Sequence, residues 1–162
     1  MELQTLIQNL KEDVNFKAWH KQHADYFLAT AFFMIHELKR EPWQIGYYNP
    51  KQKKMVIFTP SEESWQHSGE QEILKSKEEI ELLNIEKVTL SIEDALQQGE
   101  ECLQEYPSQR STQQLFIVQQ KKEETLFNIT FFTQSLKTIN VKMDAQTGKI
   151  LQHSLQDLMK VL

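Results

Sequence analysis

Val141-Lys142-Met143-Asp144-Ala145-Gln146-Thr147-Gly148-Lys149-Ile150 reads as the end of a strand followed by a tight turn. Ile139, Val141 and Met143 share one face while Thr138, Asn140 and Lys142 share the other, the period of a half-buried strand. Asp144 can bond its own backbone and Gly148 can take positive φ, so residues 144–148 form a turn. Two further runs of strand composition precede this one, Leu115-Phe116-Ile117-Val118 and Leu126-Phe127-Asn128-Ile129-Thr130-Phe131-Phe132, separated by the polar Lys121-Lys122-Glu123-Glu124. Connections this short favour hairpins over parallel crossovers.

A helix leads into this meander. Ser91 can accept a hydrogen bond from the backbone of Asp94, and Glu93 and Asp94 put negative charge at the positive end of the helix dipole. Ile92, Ala95, Leu96, Gly99, Leu103 and Tyr106 form one stripe of period 3.6, with Leu96 and Leu103 at its centre expected to be buried on the sheet. Gly99 lies inside that stripe at a cost of roughly 1 kcal/mol of helix propensity against Ala, which implies a strand passing close beneath it. Pro107 ends the helix, having no N–H to continue the ladder.

The Ser-capped helix with its Ala-Leu pair, the Tyr106-Pro107 at its end, the hairpin strands and the closing Val141, Asp144, Ala145, Thr147, Gly148 and Ile150 together resemble a PepSY domain. The resemblance covers the last third of the chain. It implies a cystatin-like fold, and the family occurs in peptidase pro-regions and cell-envelope proteins with a suspected inhibitory or binding role. It brings no catalytic residues. Its relatives mostly carry signal peptides or membrane spans, and this sequence reads as having neither.

The first part of the chain repeats the same order. Leu3, Leu6, Ile7, Leu10 and Val14 make a helical stripe, and Trp19 to Asp25 a polar connection bearing His20 and His23. Tyr26 to His36 reads as a strand buried on both faces, with Phe27, Ala29, Ala31, Phe33 and Ile35 opposite Tyr26, Leu28, Phe32 and Met34. After the charged turn Glu37 to Glu41 come Trp43-Gln44-Ile45-Gly46-Tyr47-Tyr48, a turn at Asn49-Pro50-Lys51-Gln52, and Met55-Val56-Ile57-Phe58. At an offset of 84 residues Trp43–Tyr48 falls on Phe127–Phe132, which would pair Ile45 with Ile129. The expected fold is therefore α+β, two tandem helix-plus-three-stranded antiparallel sheet repeats of PepSY or cystatin type. Residues 1–60 form the first, degenerate repeat and 61–86 an acidic linker with a mobile loop at Ser61 to Glu70. Residues 87–162 form the second repeat, ending in a short helix capped by Ser154 and carrying Leu155, Leu158, Met159 and Leu162 on one face.

A net charge of −5, from 18 basic and 23 acidic residues, disfavours nucleic acid or an acidic membrane as partner. A single cysteine, Cys102, excludes an internal disulfide and suits a reducing compartment; beside the helical stripe it reads as a small buried hydrophobe. The longest apolar stretch, Tyr26 to Ile35, is half of what a spanning helix needs, and the N-terminus lacks the features of a signal peptide, so a cytoplasmic location is expected.

No catalytic constellation is visible. His20, His23 and Asp25 have a spacing that could hold a metal on a helix, but nothing nearby completes a site. Lys51, Lys53 and Lys54 beside Tyr47 and Tyr48 read as a charged hairpin end that discourages edge pairing. The adjacent aromatics Tyr47-Tyr48 and Phe131-Phe132 must point one ring to each face of the sheet, leaving either a second core layer or an exposed binding surface. The reading that follows is a non-enzymatic cytoplasmic binding or regulatory module, monomer or homodimer, without cofactor. It would engage a protein or peptide through a sheet face or edge, with Trp43, Tyr47 and Tyr48 as candidate contacts. The alternatives are a small acidic protein resembling secretion chaperones, and an enzyme whose site is assembled only in the fold.

Overall fold

The computed structural model describes residues 2–72 and 79–157. Its elements in order are α1 (Glu2–Glu12), α2 (Val14–Gln22), β1 (Phe27–His36), β2 (Lys39–Arg40), β3 (Gln44–Asn49), β4 (Lys54–Pro60), β5 (Trp65–His67) and β6 (Gln71–Glu72). There follow α3 (Ile92–Cys102), β7 (Ser111–Lys121), β8 (Glu124–Thr133), β9 (Lys137–Asp144) and β10 (Ile150–Asp157), with 3-10 turns at Ile85–Lys87 and Leu103–Glu105.

The expected pair of tandem repeats is not what the chain forms. The ten strands of the described residues belong to one antiparallel sheet, ordered β10-β9-β8-β7-β1-β3-β4-β5, with β2 added to β1 and β6 to β4. The decisive pairing is between β1 and β7, seven residues long from Thr30 opposite Gln119 to His36 opposite Gln113. Each of these strands has apolar side chains on both faces. Left at the margins of two separate sheets, they would expose long hydrophobic edges; joined, they become the centre of one. The two parts also differ in what surrounds their meanders. Two helices and the short β2, β5 and β6 accompany the first, while a full strand, β10, closes the second.

The α3 region follows the sequence reading. Ser91 Oγ accepts the Asp94 amide at 3.1 Å. Ile92, Ala95 and Gly99 are buried, but Leu96 and Leu103, expected at the buried centre of the stripe, are only half-buried and pack against the margin of the core, because the helix seats on the sheet along the Ile92–Ala95–Gly99 line. The 144–148 turn is held by Asp144 Oδ1, which accepts the amides of Gln146 at 2.8 Å and Thr147 at 2.9 Å, and Gly148 sits at φ 77°. Ala145 O then receives the amides of Thr89 and Leu90, tying the start of α3 to the end of β9.

Other expectations are corrected. The segment Val14–Gln22 is a second helix, begun by Asp13, whose carboxylate accepts the Phe16 amide at 3.0 Å; Val14 on it is 79% exposed. Within β1 a bulge between Leu28 and Thr30 breaks strict alternation, so Leu28 lies in the helix-covered core with Ala31 and Phe33 while Ala29 turns to the other face. Trp65 is buried, because β5 pairs with β4 where a mobile loop was expected. The terminal helix capped by Ser154 is absent through residue 157: Ser154 and Leu155 lie on β10, paired with Asn140 and Ile139. Leu158, Met159 and Leu162 lie outside the described residues, as does part of Gln71 to Leu83.

Candidate functional site

The main core lies between the sheet and the helices. Leu3, Ile7 and Leu10 from α1, Phe16 from α2 and Ile92 and Ala95 from α3 join Phe33, Ile45, Phe58, Phe116, Phe127, Ile129 and Val141 from the strands. Side chains alternate across a strand, so the residues next to these face away from the helices. On that opposite face Phe32 stands across from Ile117, and Met34 across from Leu115, where β1 and β7 meet; all four are half-buried. Phe132 on β8 adds a fifth apolar side chain.

Towards β9 the same face turns polar. Asn140 Nδ2 donates to Asn128 Oδ1 at 2.5 Å and to Thr130 Oγ1 at 3.1 Å, fixing three side chains across β8 and β9. At the other end Ile80, on the connection after β6, packs with Phe27, Ala29, Tyr48, Met55 and Ile57. The centre of the sheet therefore shows an apolar band between a covered end and an amide-rich one. Such a surface suits an amphipathic segment better than a small charged substrate.

The sequence candidates lie elsewhere. Trp43 is 4% exposed and packs edge-on to Phe33 at 4.6 Å between ring centres, with the Arg40 guanidinium 5.5 Å above its ring. Tyr47 is 3% exposed among Phe16, Trp19, His20 and Phe58 on the helix side. Tyr48 is buried on the opposite face against Phe27. The three rings occupy packing positions in two separate layers and are not brought together. Of the two adjacent aromatic pairs, only Phe132 contributes to the accessible face, and the Phe131-Phe132 pattern was the signal for it.

The titratable groups of the first part gather at the α2 end of the sheet. His23 stacks on Trp19 with ring centres 4.7 Å apart, and its Nε2 is 3.9 Å from Glu70 Oε1. Lys54 Nζ is 3.3 Å from the other Glu70 oxygen. Burial, then the neighbouring Glu70 carboxylate, pushes Tyr26 up to about 12. The Tyr26 phenol and then Lys54 hold Glu70 below the usual carboxylate range. Both shifts run away from neutrality, which makes neither group a good acid or base at physiological pH. Cys102 is half-buried, and burial followed by Glu105 and Glu101 raises its thiol, which disfavours the thiolate a nucleophile needs. No group of three or more His, Cys, Asp or Glu side chains among the described residues is placed to hold a metal ion.

No family model matches the chain, and no curated protein matches it. Among solved structures it is similar to a crystal structure described as a "putative lipoprotein" from Clostridium difficile 630, with a TM-score of 0.52 over 88% of this chain and 90% of that one at 9% identity. At that identity the likeness is one of fold, spanning nearly the whole of both chains. No helix among the described residues is long and apolar enough to cross a membrane.

Proposed function

We propose that this chain is a non-enzymatic binding module, PepSY-like in residues 87–162, that engages a protein or peptide through its sheet. The carrying observation is the sidedness of that sheet. The three described helices pack on one face, while Phe32, Met34, Leu115, Ile117 and Phe132 stand half-buried on the other with no helix of the described residues over them. The PepSY-like reading of the second part draws support from the helix, the meander and the Asp144 turn, all in the order that family uses. Neither nucleic acid nor an acidic membrane suits a chain of net charge −5, and no cofactor enters this reading.

A cytoplasmic location accords with the single cysteine. The fold neighbour's description as a lipoprotein is the observation against it, and fractionation of native cells decides between them.

The function is tested by affinity capture from native extract with Ile117→Thr and Phe132→Thr variants, since threonine is polar but retains high strand propensity. Loss of a captured protein at an unchanged denaturant midpoint supports the sheet face. Undiminished capture by both variants overturns it.

A further inference from the structure

Strand β10 ends the sheet, and no described strand pairs with its outer side. It is eight residues long, has no proline or lysine, and exposes Leu151 and Leu155; what blunts it is confined to its two ends, an irregularity between Ile150 and Gln152 and the charge of Asp157. The opposite margin is built differently, from the three-residue β5 and two-residue β6.

Beside β10 runs a cleft of about 590 Å³ between the strand and the outer flank of α3. Asp94, Glu101 and Glu105 line it from the helix and the turn after it, Ile150 and His153 from β10, with Cys102 between. His153 is anchored by a 2.7 Å hydrogen bond between its Nδ1 and the Tyr106 hydroxyl, which fixes the strand's distance from the helix. None of the three carboxylates has an ion-pair partner among the described residues. Main-chain groups of residues 150–156 that no described strand pairs, and a row of carboxylates without an ion-pair partner among the described residues, therefore lie side by side.

We infer that β10 is a docking edge for an extended basic segment of a partner protein. The inference rests on the binding-module reading and moves its contact from the face to the edge. A strand added about 4.8 Å beyond β10 takes up the main-chain donors and acceptors of residues 150–156 that no described strand uses. Every second side chain of that strand then points to the helix side, where lysine or arginine reaches the carboxylates of α3. A second copy of this chain fits less well. Edge-to-edge pairing through β10 would bring two α3 carboxylate rows and two net charges of −5 together.

The probe is a capped peptide of alternating threonine and lysine, about eight residues to match the strand, with a threonine–glutamate peptide as control. The full chain is followed by amide hydrogen exchange and by titration at low and high salt. The expected result is protection of residues 150–157 by the lysine peptide alone. Glu101→Lys together with Glu105→Lys should weaken binding about tenfold or more at an unchanged denaturant midpoint. An unprotected β10, binding indifferent to the charge reversal, or peptide-free self-association through β10 in sedimentation would each overturn the proposal. Protection centred on Phe32 and Ile117 with β10 unprotected overturns the edge alone and leaves the sheet-face reading standing.

Discussion

Gly99 of α3 lies directly over Ile129 of β8: a Cβ on Gly99 would stand 2.9 Å from Ile129 Cδ1 and 3.4 Å from Phe131 Cζ. The helix approaches the sheet closely only because this position has no side chain. Gly99→Ala should therefore destabilise the protein by about 1 kcal/mol, the overpacking outweighing the gain in helix propensity. Ile129→Val removes the clashing methyl, so in the double variant the alanine should become neutral or favourable. Denaturant midpoints over this double-mutant cycle check the claim. Additive effects would show that the two residues do not meet.

Asp144 organises the closing turn. Burial alone would raise its carboxyl, but the amides of Thr147 and Gln146 and the Thr147 hydroxyl outweigh it and hold the group below its usual range. A depressed folded-state value means that this stabilisation is present above the unfolded value, about 3.9, and is lost as pH falls through the folded one. Asp144→Asn keeps one acceptor oxygen and should flatten the acid limb of the stability profile below about pH 4. Asp144→Ala should cost about 1–3 kcal/mol, because three donors lose their partner. A midpoint for Asp144→Ala equal to wild type at pH 7 would remove the turn from the stabilising features.

Tyr26 and Tyr47 make the alkaline limb. Burial raises both phenols to about 12, with Glu70 adding to it at Tyr26. Below the unfolded value of about 10 the folded and unfolded states are both neutral and nothing is gained or lost. Above it the unfolded chain ionises first, so stability falls progressively towards pH 12. Ultraviolet titration of tyrosinate should show a late component from Tyr26 and Tyr47, ionising late or only with unfolding. Tyr26→Phe with Tyr47→Phe should remove that late component.

The second part of the chain was legible because its signals were local. The Ser91 cap, the stripe on α3, the alternation around Val141 and the Asp144–Gly148 turn each lie within a few residues of one another. What could not be read depended on partners far away in sequence. That β1 would pair with β7 follows from two strands apolar on both faces, but sequence alone does not say whether two such strands join or bury themselves in separate layers. Leu155 has the spacing of a helix face from Ser154 onward, yet β9 offered a free edge and made the segment a strand. The tight turns at Glu37-Leu38 and Lys122-Glu123 take positive φ at all four residues without glycine or asparagine, so composition carried no mark of their type. Trp43, Tyr47 and Tyr48 were conspicuous for the reason that made them core: Trp43 and Tyr47 fill the space between helices and sheet, and Tyr48 fills the smaller cluster on the other face.

Trp65 separates the folded account of residues 61–67 from the loop that composition suggests. Its neighbours Ser61, Glu62, Glu63, Gln66 and His67 are exposed, yet its own side chain is 8% exposed and belongs to the main core. The segment is positioned by Pro60 opposite Trp65 in the β4–β5 ladder and by the Ser61 amide, which donates to Ser64 O at 2.9 Å. A buried ring on a three-residue strand holds the strand more than the strand's few hydrogen bonds do. Trp65→Ala should therefore lower stability by about 3–5 kcal/mol, in the range for aromatic truncation in cores. Glu63→Ala, on the exposed part of the same segment, should change it by less than about 0.5 kcal/mol. Denaturant unfolding of both variants gives the comparison, and hydrogen exchange should show β5 opening first in Trp65→Ala. A stability loss below about 1 kcal/mol for Trp65→Ala would return the segment to the status of a surface loop.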